Sequence, residues 1–410
     1  MANLKTQALK YHQSKPAGKI QIQISKPVKS VKHLSLAYTP GVAEPCREIE
    51  KNPEQAYKYT NIGNLVAVIS NGTAVLGLGD IGALAGKPVM EGKAVLFKHF
   101  ANVNSVDIEV DEKDPKKLIE IIEAISPSFG GINLEDIKAP ECFVVEEALK
   151  QRLSIPVFHD DQHGTAVVTS AALLNALEIA SKEIDKVKVV MIGAGAAGIA
   201  IANLIVALGV KKKNIFMFDS QGLITKSRKV NKYKKPFAQN TEEQITYGQA
   251  LDGADVFIGV SKADLVTAKM IKLMANKPIV FAMANPDPEI KYELAKKAVP
   301  DLIMATGRSD YPNQVNNVLC FPFLFRGALD VKAREINQEM KLAAVKAIAK
   351  LAKEPVTKEI EKIYKRKFKF GPDYILPKPF DKRLLPRISK AVKESAIESG
   401  VADNLQGRTL

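Results

Sequence analysis

Tryptophan is absent from the 410-residue sequence, and cysteine is scarce. The three cysteines, Cys46, Cys142 and Cys320, are odd in number and far apart, so we expect neither a disulfide framework nor a thiolate metal site. No uninterrupted apolar run approaches the roughly 20 residues that span a bilayer. The polar N-terminal stretch also lacks the apolar core of a secretion signal. The sequence therefore predicts a cytoplasmic protein with no membrane partner.

Acidic residues are outnumbered, since 59 lysines and arginines against 45 aspartates and glutamates give a net charge of +14. A basic excess can indicate a nucleic-acid partner. Here the lysines are spread along the chain, and the densest stretch, Lys226 to Lys235, offers only Tyr233 for stacking on a base. We interpret most of this charge as solvated surface and expect no nucleic-acid partner.

The first part of the chain is predicted to form a mixed α/β domain, residues 1–161. A chain of this length is too long to form a single hydrophobic core, so two domains are expected. Short apolar runs between glycine-rich turns indicate buried strands at Leu65–Ile69 and Ile155–Phe158. Asp114 followed by Pro115 predicts a helix start, and apolar spacing continues the helix over Lys116–Ile125.

The second part, residues 162–385, is predicted to form a Rossmann-like domain with a doubly wound parallel sheet. Strand and helix patterns alternate regularly there, which is typical of a parallel sheet covered by helices on both faces. The predicted strands are Val187–Ile192, Asn214–Phe218, Val256–Val260 and Ile279–Ala282. Helices are expected at Ala166–Ala180 and, as one long amphipathic helix, at Ala328–Lys353. Residues 386–410 are predicted to form a C-terminal helical tail.

A glycine-rich turn between a predicted strand and helix indicates a dinucleotide site. The turn reads Gly193-Ala194-Gly195-Ala196-Ala197-Gly198, and Asp219 follows about 20 residues later at the end of the next strand. This context fits a pyrophosphate on the helix N-terminus. Asp219 would accept hydrogen bonds from the ribose hydroxyls, which favours NAD. Lys226, Arg228 and Lys229 lie within reach of a 2′-phosphate, so NADP stays open.

Two acidic pairs follow buried apolar runs, Glu135-Asp136 and Asp160-Asp161. Carboxylate oxygens are the ligands that Mg2+ and Mn2+ prefer. Taken alone, acidic pairs are more often solvated loop residues or helix caps. The spacing from His159 to His163 also resembles a zinc hydrolase motif, but it leaves a strand and reaches a glycine at once, so it fits poorly.

Lys93 and Tyr38 are candidates for proton transfer. Lys93 lies in an apolar context, Pro88 to Phe97, where burial and a nearby cation would both lower its pKa and make it a base. The alternative is a lysine that extends to solvent from a strand edge. Tyr38 precedes Thr39 and Pro40 and is equally compatible with a packed aromatic in a turn.

Taken together, several long segments resemble the malic enzyme family, in its short bacterial form. They occur in family order over roughly residues 8–385. The segments are Ser35-Leu-Ala-Tyr-Thr-Pro-Gly-Val-Ala, Asn71-Gly-Thr-Ala-Val-Leu-Gly-Leu-Gly-Asp-Ile-Gly, Pro88-Val-Met-Glu-Gly-Lys-Ala, Gly131-Ile-Asn-Leu-Glu-Asp-Ile, Phe158-His-Asp-Asp-Gln-His-Gly-Thr-Ala and Ala305-Thr-Gly-Arg-Ser-Asp-Tyr-Pro-Asn-Gln-Val-Asn-Asn-Val. Strings of this length are more specific than any short motif.

The resemblance implies oxidative decarboxylation of L-malate to pyruvate and CO2 with reduction of NAD or NADP, and accompanying oxaloacetate decarboxylation. It implies that Glu135, Asp136 and Asp161 hold Mg2+ or Mn2+. Lys93 would bind the substrate and take its hydroxyl proton, and Asp160 would orient this lysine.

The resemblance also assigns roles to three residues outside the acidic pairs. Tyr38 would protonate the enolpyruvate carbon, Asn285 would lie near the nicotinamide, and Asn317 would contact the substrate carboxylate. A homodimer or higher homo-oligomer is implied as well. Because the sequence stops at Leu410, without the phosphate acetyltransferase-like extension of longer relatives, we expect no second activity.

Alternatives remain at this level. A malolactic-type enzyme, which releases lactate, would carry nearly the same segments. A dinucleotide-binding sensor is a second alternative, and a dehydrogenase without decarboxylation is a third, although it leaves the acidic pairs unexplained. Two segments depart from the family pattern: Asn71 stands where an aspartate is usual, and Cys320 and Phe323 replace glycines, which narrows the expected substrate site.

Overall fold

The computed structural model describes residues 4–75 and 77–402. The chain before the first sheet is helical and open to solvent. Its helices are α1 (Leu4–Gln13), α2 (Val31–Ala37), α3 (Ala43–Lys51) and α4 (Ala56–Tyr59), and none contains a buried residue. Between α1 and α2, Ile22 is 97% and Ile24 76% exposed. This N-terminal segment therefore has almost no share in the core of its own chain.

Four parallel strands form the sheet of the first part, in the order β2-β1-β3-β4. The elements are β1 (Leu65–Ser70), α5 (Ala83–Ala101), β2 (Asn104–Glu109), α6 (Pro115–Ile125), β3 (Gly131–Leu134), α7 (Glu141–Arg152), β4 (Val157–His159) and α8 (Asp160–Ala180). Asp114 caps α6 by accepting a hydrogen bond from the Lys116 N–H at 2.8 Å, as its sequence predicts. Because the strands are parallel, the loops that follow them meet at one edge of the sheet.

Six strands form the second sheet, in the order β10-β9-β8-β5-β6-β7, and only the short β7 runs antiparallel. The elements are β5 (Val189–Ile192), α9 (Ala196–Ala207), β6 (Ile215–Asp219), β7 (Gly222–Leu223), α10 (Tyr247–Leu251), β8 (Val256–Gly259), α11 (Ala268–Lys272), β9 (Ile279–Ala282), α12 (Tyr292–Ala298) and β10 (Ile303–Thr306). From β5 the chain first adds β6 and β7 on one side of the sheet, and then adds β8, β9 and β10 on the other side. The strand order therefore reverses at β5. In such sheets a ligand binds at this switch point.

Helices α13 (Phe321–Asp330), α14 (Gln338–Lys353), α15 (Lys358–Tyr364) and α16 (Leu384–Glu398) complete the described chain. The prediction of one helix over Ala328–Lys353 is wrong. Lys332 adopts a left-handed conformation with φ of 48°, and Asn337 caps a new helix by accepting from the Met340 N–H at 3.0 Å. The C-terminal helix α16 packs on α13 and α14.

Helix α8 is longer than predicted, since it begins at Asp160 instead of Ala166. It is buried along most of its length and packs against both α9 and α14. The predicted α/β class with a Rossmann-like parallel sheet is confirmed. The division at residues 161 and 385 stays a prediction. Within the described residues, no helix has the length and apolar character needed to cross a membrane.

Candidate active site

Three acidic side chains converge where β3 and β4 end. Glu135 and Asp136 follow β3, and Asp161 lies in the first turn of α8, directly after β4. One carboxylate oxygen from each lies within 4.8 Å of the others. The Asp136 N–H donates to Asp161 Oδ2 at 2.8 Å, which fixes the two loops to each other. The sequence predicted this set, and the folded chain brings its members together.

The acidic group has the electrostatic character of a cation site. Burial, together with the neighbouring carboxylates, raises the pKa of Glu135 to about 8, of Asp136 to about 9 and of Asp161 to about 6. Asp136 Oδ2 is buried with no hydrogen-bond partner among the described residues. An orphaned oxygen inside a group of carboxylates is costly unless a cation neutralises it. Hard oxygen donors in this arrangement fit Mg2+ or Mn2+.

Lys93 lies next to this acidic group. It projects from the middle of α5, and its Nζ lies 2.6 Å from Asp160 Oδ2 and 2.8 Å from Glu135 Oε1. The ring of Phe321 covers the ammonium at 4.2 Å. Burial lowers the pKa of Lys93, but Asp160 and Glu135 outweigh it and raise the pKa above its ordinary value. The expected lowering is therefore wrong for the chain without a cation, and so is the alternative of a strand-edge lysine.

Asp160 connects Lys93 to Asn317. The Asn317 side-chain N–H group donates to Asp160 Oδ2 at 3.0 Å, while the Thr165 hydroxyl donates to Asn317 Oδ1 at 3.1 Å. Asp160 is fully buried, and a Cβ at Gly164 would lie only 1.9 Å from its Oδ1. Glycine at 164 is therefore needed to make room for the carboxylate that pairs with Lys93.

Tyr38 is not brought into this group by its own chain. It lies at the C-terminal end of α2, and 69% of its surface is exposed. Lys93, by contrast, has only 10% of its side chain exposed. The proton-transfer role of Tyr38 stays a prediction, and a single copy of the chain does not place this side chain beside Lys93.

The zinc interpretation of His159 and His163 fails on their partners. His163 Nε2 contacts both oxygens of Glu146, at 2.8 and 2.9 Å, while the buried ring of His159 has its Nε2 atom 3.9 Å from Asp161 Oδ2. The two rings do not share a cation site.

Two residues beside the acidic group were not singled out from the sequence. Asn133 donates its side-chain N–H to Glu135 Oε2 at 2.8 Å, and Phe321 covers Lys93. Asn133 lies in the family-like segment that starts at Gly131, and Phe321 lies between Cys320 and Phe323, which depart from the family pattern. The sequence offers no other indication of either residue. Asn71, where an aspartate is usual, is buried and donates its side-chain N–H to the Glu112 carbonyl at 3.0 Å. Cys320 and Phe323 are buried as well.

The glycine-rich turn after β5 has the geometry of a pyrophosphate site. Gly193 has φ of +117°, and a Cβ there would lie 2.6 Å from the Val260 carbonyl oxygen. A Cβ at Gly198 would lie 2.0 Å from the Gly193 carbonyl oxygen. Gly195 precedes the first turn of α9 and faces open space. Backbone N–H groups of Ala194, Ala196 and Ala197 belong to this same turn, as predicted from the spacing.

Asp219 ends β6, but its carboxylate is already paired. Arg228 Nη2 donates to its two oxygens at 2.8 and 3.0 Å, and Lys234 Nζ donates to Oδ2 at 2.8 Å. Burial raises the pKa of Asp219, but Lys234 and Arg228 outweigh it and hold the pKa below its usual range. Asn285 follows β9, and its side-chain N–H donates to the Met283 carbonyl at 3.3 Å.

Two family models match successive parts of the chain. The model for the malic enzyme N-terminal domain matches residues 17–150, and the model for the malic enzyme NAD-binding domain matches residues 162–366. The chain belongs to the malic enzyme family. The acidic group and Lys93 lie at the edge of the first sheet and the glycine-rich turn at the edge of the second.

Known malic enzymes align over nearly the whole chain. The NADP-dependent malic enzyme of Salmonella typhimurium is 58% identical over 402 residues, covering 97% of this chain and 53% of that protein. The NADP-dependent enzyme of Halomonas elongata is 55% identical and is covered to 96% of its length. The NAD-dependent enzyme of Rhizobium meliloti is 53% identical, covering 97% of this chain and 52% of that protein. This chain thus spans about half the length of several of its curated relatives.

A solved malic enzyme has the same fold. The crystal structure of the malic enzyme from Pyrococcus horikoshii superposes with a TM-score of 0.90 at 44% sequence identity. The superposition covers 98% of this chain and 92% of that one. The two sheets and their connection are therefore those of the malic enzyme fold.

Proposed function

We propose that this chain oxidises L-malate and decarboxylates the product to pyruvate and CO2, with a nicotinamide coenzyme and a divalent cation, and that it also decarboxylates oxaloacetate. The observation that carries the proposal is the convergence of Glu135, Asp136 and Asp161 beside the Lys93–Asp160 pair. A dehydrogenase without decarboxylation has no use for three buried carboxylates at this place. A dinucleotide sensor has no use for them either.

The residues around Lys93 account for the first proton transfer. Glu135, Asp136 and Asp161 would hold the cation, whose Lewis acidity stabilises negative charge on the substrate oxygen when it is bound. Lys93 Nζ, as the free amine, would take the hydroxyl proton of malate as hydride passes from C2 to the nicotinamide, while Asp160 keeps the amine in place. Asn317, which donates to Asp160, would also contact the substrate carboxylate.

We propose NADP as the preferred coenzyme. Asp219 is the residue that would select NAD by accepting from the ribose hydroxyls, but both of its oxygens are engaged by Arg228 and Lys234. Two cations against one carboxylate leave a net positive charge at the end of β6. A 2′-phosphate with about two negative charges is attracted to such a site, and Arg228 offers the planar geometry that phosphate oxygens accept.

We further propose that the chain acts as a homodimer in which a second copy covers the N-terminal segment. Leu34, Leu36 and Tyr38 of α2 and its C-terminal end are exposed by 56%, 62% and 69%. Ile22 and Ile24 are exposed as well, so this segment presents several large apolar side chains to water, which is typical of an interaction site. A proton donor to enolpyruvate needs a site closed to water, so Tyr38 would act in the site that the second copy completes.

The reaction is tested with L-malate, NADP+ and Mn2+, following coenzyme reduction and identifying the organic acid by chromatography. We expect pyruvate and NADPH in equal amounts, and no reaction in EDTA. Lactate without net coenzyme reduction would point to a malolactic enzyme instead. Turnover that survives EDTA would overturn the role of the acidic group.

The dimer is tested by mixing two impaired proteins, Lys93→Ala, which fails in malate oxidation, and Tyr38→Phe, which is slow in enolpyruvate protonation. Unfolded and refolded together, they should form pyruvate faster than either alone, because half of the mixed dimers' sites combine an intact Lys93 with an intact Tyr38 of the other copy. Light scattering supplies the mass of the assembly. A monomer in solution, or a mixture no more active than its two components, would contradict the proposal.

A further inference from the structure

Glu146 is a buried carboxylate behind the active site. It lies in α7, only 4% of it is exposed, and it occupies the apolar face of that helix together with Cys142, Val145 and Leu149. An ionised carboxylate in such a place is strongly destabilising unless hydrogen bonds and opposite charges compensate it. The groups that bind the Glu146 carboxylate therefore indicate why a charge is buried in this helix.

Three of the four groups that Glu146 binds belong to one short stretch of chain. His163 Nε2 lies 2.8 Å from Oε1, the Gln162 side-chain N–H group donates to Oε2 at 3.2 Å, and the His159 backbone N–H donates to Oε1 at 3.3 Å. The fourth partner is Lys150 Nζ, one turn further along α7, at 2.6 Å. The carboxylate thus holds the residues His159 to His163 from behind.

This stretch is the strand-to-helix turn that carries Asp160 and Asp161. His159 is the residue before the first turn of α8, and its side chain makes no capping hydrogen bond. Glu146 supplies an acceptor for this end of the helix from a different element. Burial raises the pKa of Glu146, but His163 and Lys150 outweigh it and hold the pKa well below its usual range, so the carboxylate is ionised.

The ring of His163 is oriented by the same contacts. Its second nitrogen, Nδ1, faces Lys341 Nζ at 3.5 Å, which makes Nδ1 the acceptor and Nε2 the donor. His163 therefore donates to Glu146 and cannot serve as a cation ligand.

We propose that Glu146 is a positioning residue for the metal and proton-transfer residues, acting through the His159–His163 turn. This inference rests on the proposed function. On the front of the turn, Lys93 and Asn317 contact Asp160, and the Asp136 N–H contacts Asp161. On the back, Glu146 fixes the backbone of the turn against α7. Loss of the back contact would leave the two aspartates held only by the contacts on the front of the turn.

The test is Glu146→Gln, which keeps the shape of the side chain, removes its charge and sets an N–H group against donors. We expect the dissociation constant for Mn2+, measured by titration without malate or coenzyme, to rise roughly 10- to 100-fold, the range for residues that orient metal ligands. The dissociation constant for NADPH should stay unchanged, because the glycine-rich turn lies in the other sheet. The matched control is Glu147→Gln on the same helix, where Glu147 is half exposed and pairs with Lys232.

Each outcome decides the matter. Mn2+ affinity that is equal in Glu146→Gln and in the unsubstituted chain, or equally weakened in Glu147→Gln, overturns the positioning role. Should Glu146→Gln fail to fold, Gln162→Met removes one of the three contacts and should weaken Mn2+ binding in the same direction; unchanged binding there overturns the proposal too. If the unsubstituted chain does not bind Mn2+ at all, the proposed function fails and not the positioning role alone.

Discussion

Arg228→Gln tests how the coenzyme is selected. The guanidinium is largely buried, with 15% of the side chain exposed, and it donates to Asp219 and to the carbonyls of Gly222 and Leu223. In the complex with NADP it would add a charge-assisted hydrogen bond to the 2′-phosphate, and such bonds contribute about 1.5 to 3 kcal/mol. At about 1.4 kcal/mol for each factor of ten, kcat/KM for NADP+ should fall roughly 10- to 150-fold. Because Arg228 already serves Asp219, we expect a value near the lower end.

The same substitution should act differently on NAD+. Asp219 keeps its charge through Lys234 and gains a free lone pair, so kcat/KM for NAD+ should hold or rise. Initial rates of coenzyme reduction at saturating malate and Mn2+ give both values. Lys213→Gln is the control, because this lysine is exposed, precedes β6 at the end of the strand opposite Asp219, and makes no ion pair among the described residues. Equal losses with NADP+ and NAD+, or an equal effect in Lys213→Gln, would refute selection by Arg228.

Three further predictions concern the acidic group and its neighbours. Lys93→Ala should lower kcat by roughly 100- to 10,000-fold, the range for a general base, and near-normal malate turnover would show that the base is elsewhere. Tyr38→Phe should slow enolpyruvate protonation more than hydride transfer, so the isotope effect on kcat with malate deuterated at C2 should shrink; an unchanged isotope effect contradicts this. Asp136 has a pKa raised to about 9, so the stability it contributes is present below the ordinary carboxyl pKa and is lost as pH rises through 9. In EDTA, the melting temperature of Asp136→Asn should therefore fall less steeply with pH than that of the unsubstituted chain. Mn2+ should no longer raise the melting temperature of this variant. Parallel curves of melting temperature against pH for the two proteins would contradict the raised pKa of Asp136.

Apolar runs predicted the strands well because parallel strands are buried on both faces. Ile279–Ala282 matches β9 in full, and Leu65–Ile69 differs from β1 by one residue. The start of α8 was missed although its signal was present: Asp160 and Asp161 are acidic residues of the kind that favour a first helical turn. The break before α14 was missed because a left-handed residue, Lys332, has no signature of its own in the sequence.

Only those site residues that lie inside the long segments resembling the malic enzyme family could be predicted from the sequence. Neither the pairing of Asp219 with Arg228 and Lys234 nor the raised pKa of Lys93 follows from spacing, because both depend on which side chains meet after burial. Glu146 had one faint signal, an acidic residue among the apolar positions of α7. An acidic residue among apolar helix positions predicts a buried hydrogen-bond donor or cation beside it, but the sequence does not identify that residue.

Helix α8 makes the two halves of the chain inseparable. Its first residues complete one sheet's acidic group, its middle packs on the coenzyme-domain helix α9, and Asn175 donates to the carbonyls of Ala349 and Ile375. At about 1.5 Å per residue it is a rod of roughly 30 Å. Dividing the gene between residues 161 and 162, where the match to the NAD-binding domain begins, would leave Asp160 and Asp161 on a frayed end and expose the buried sides of α8. Anyone splitting or permuting this chain would do better to keep α8 whole.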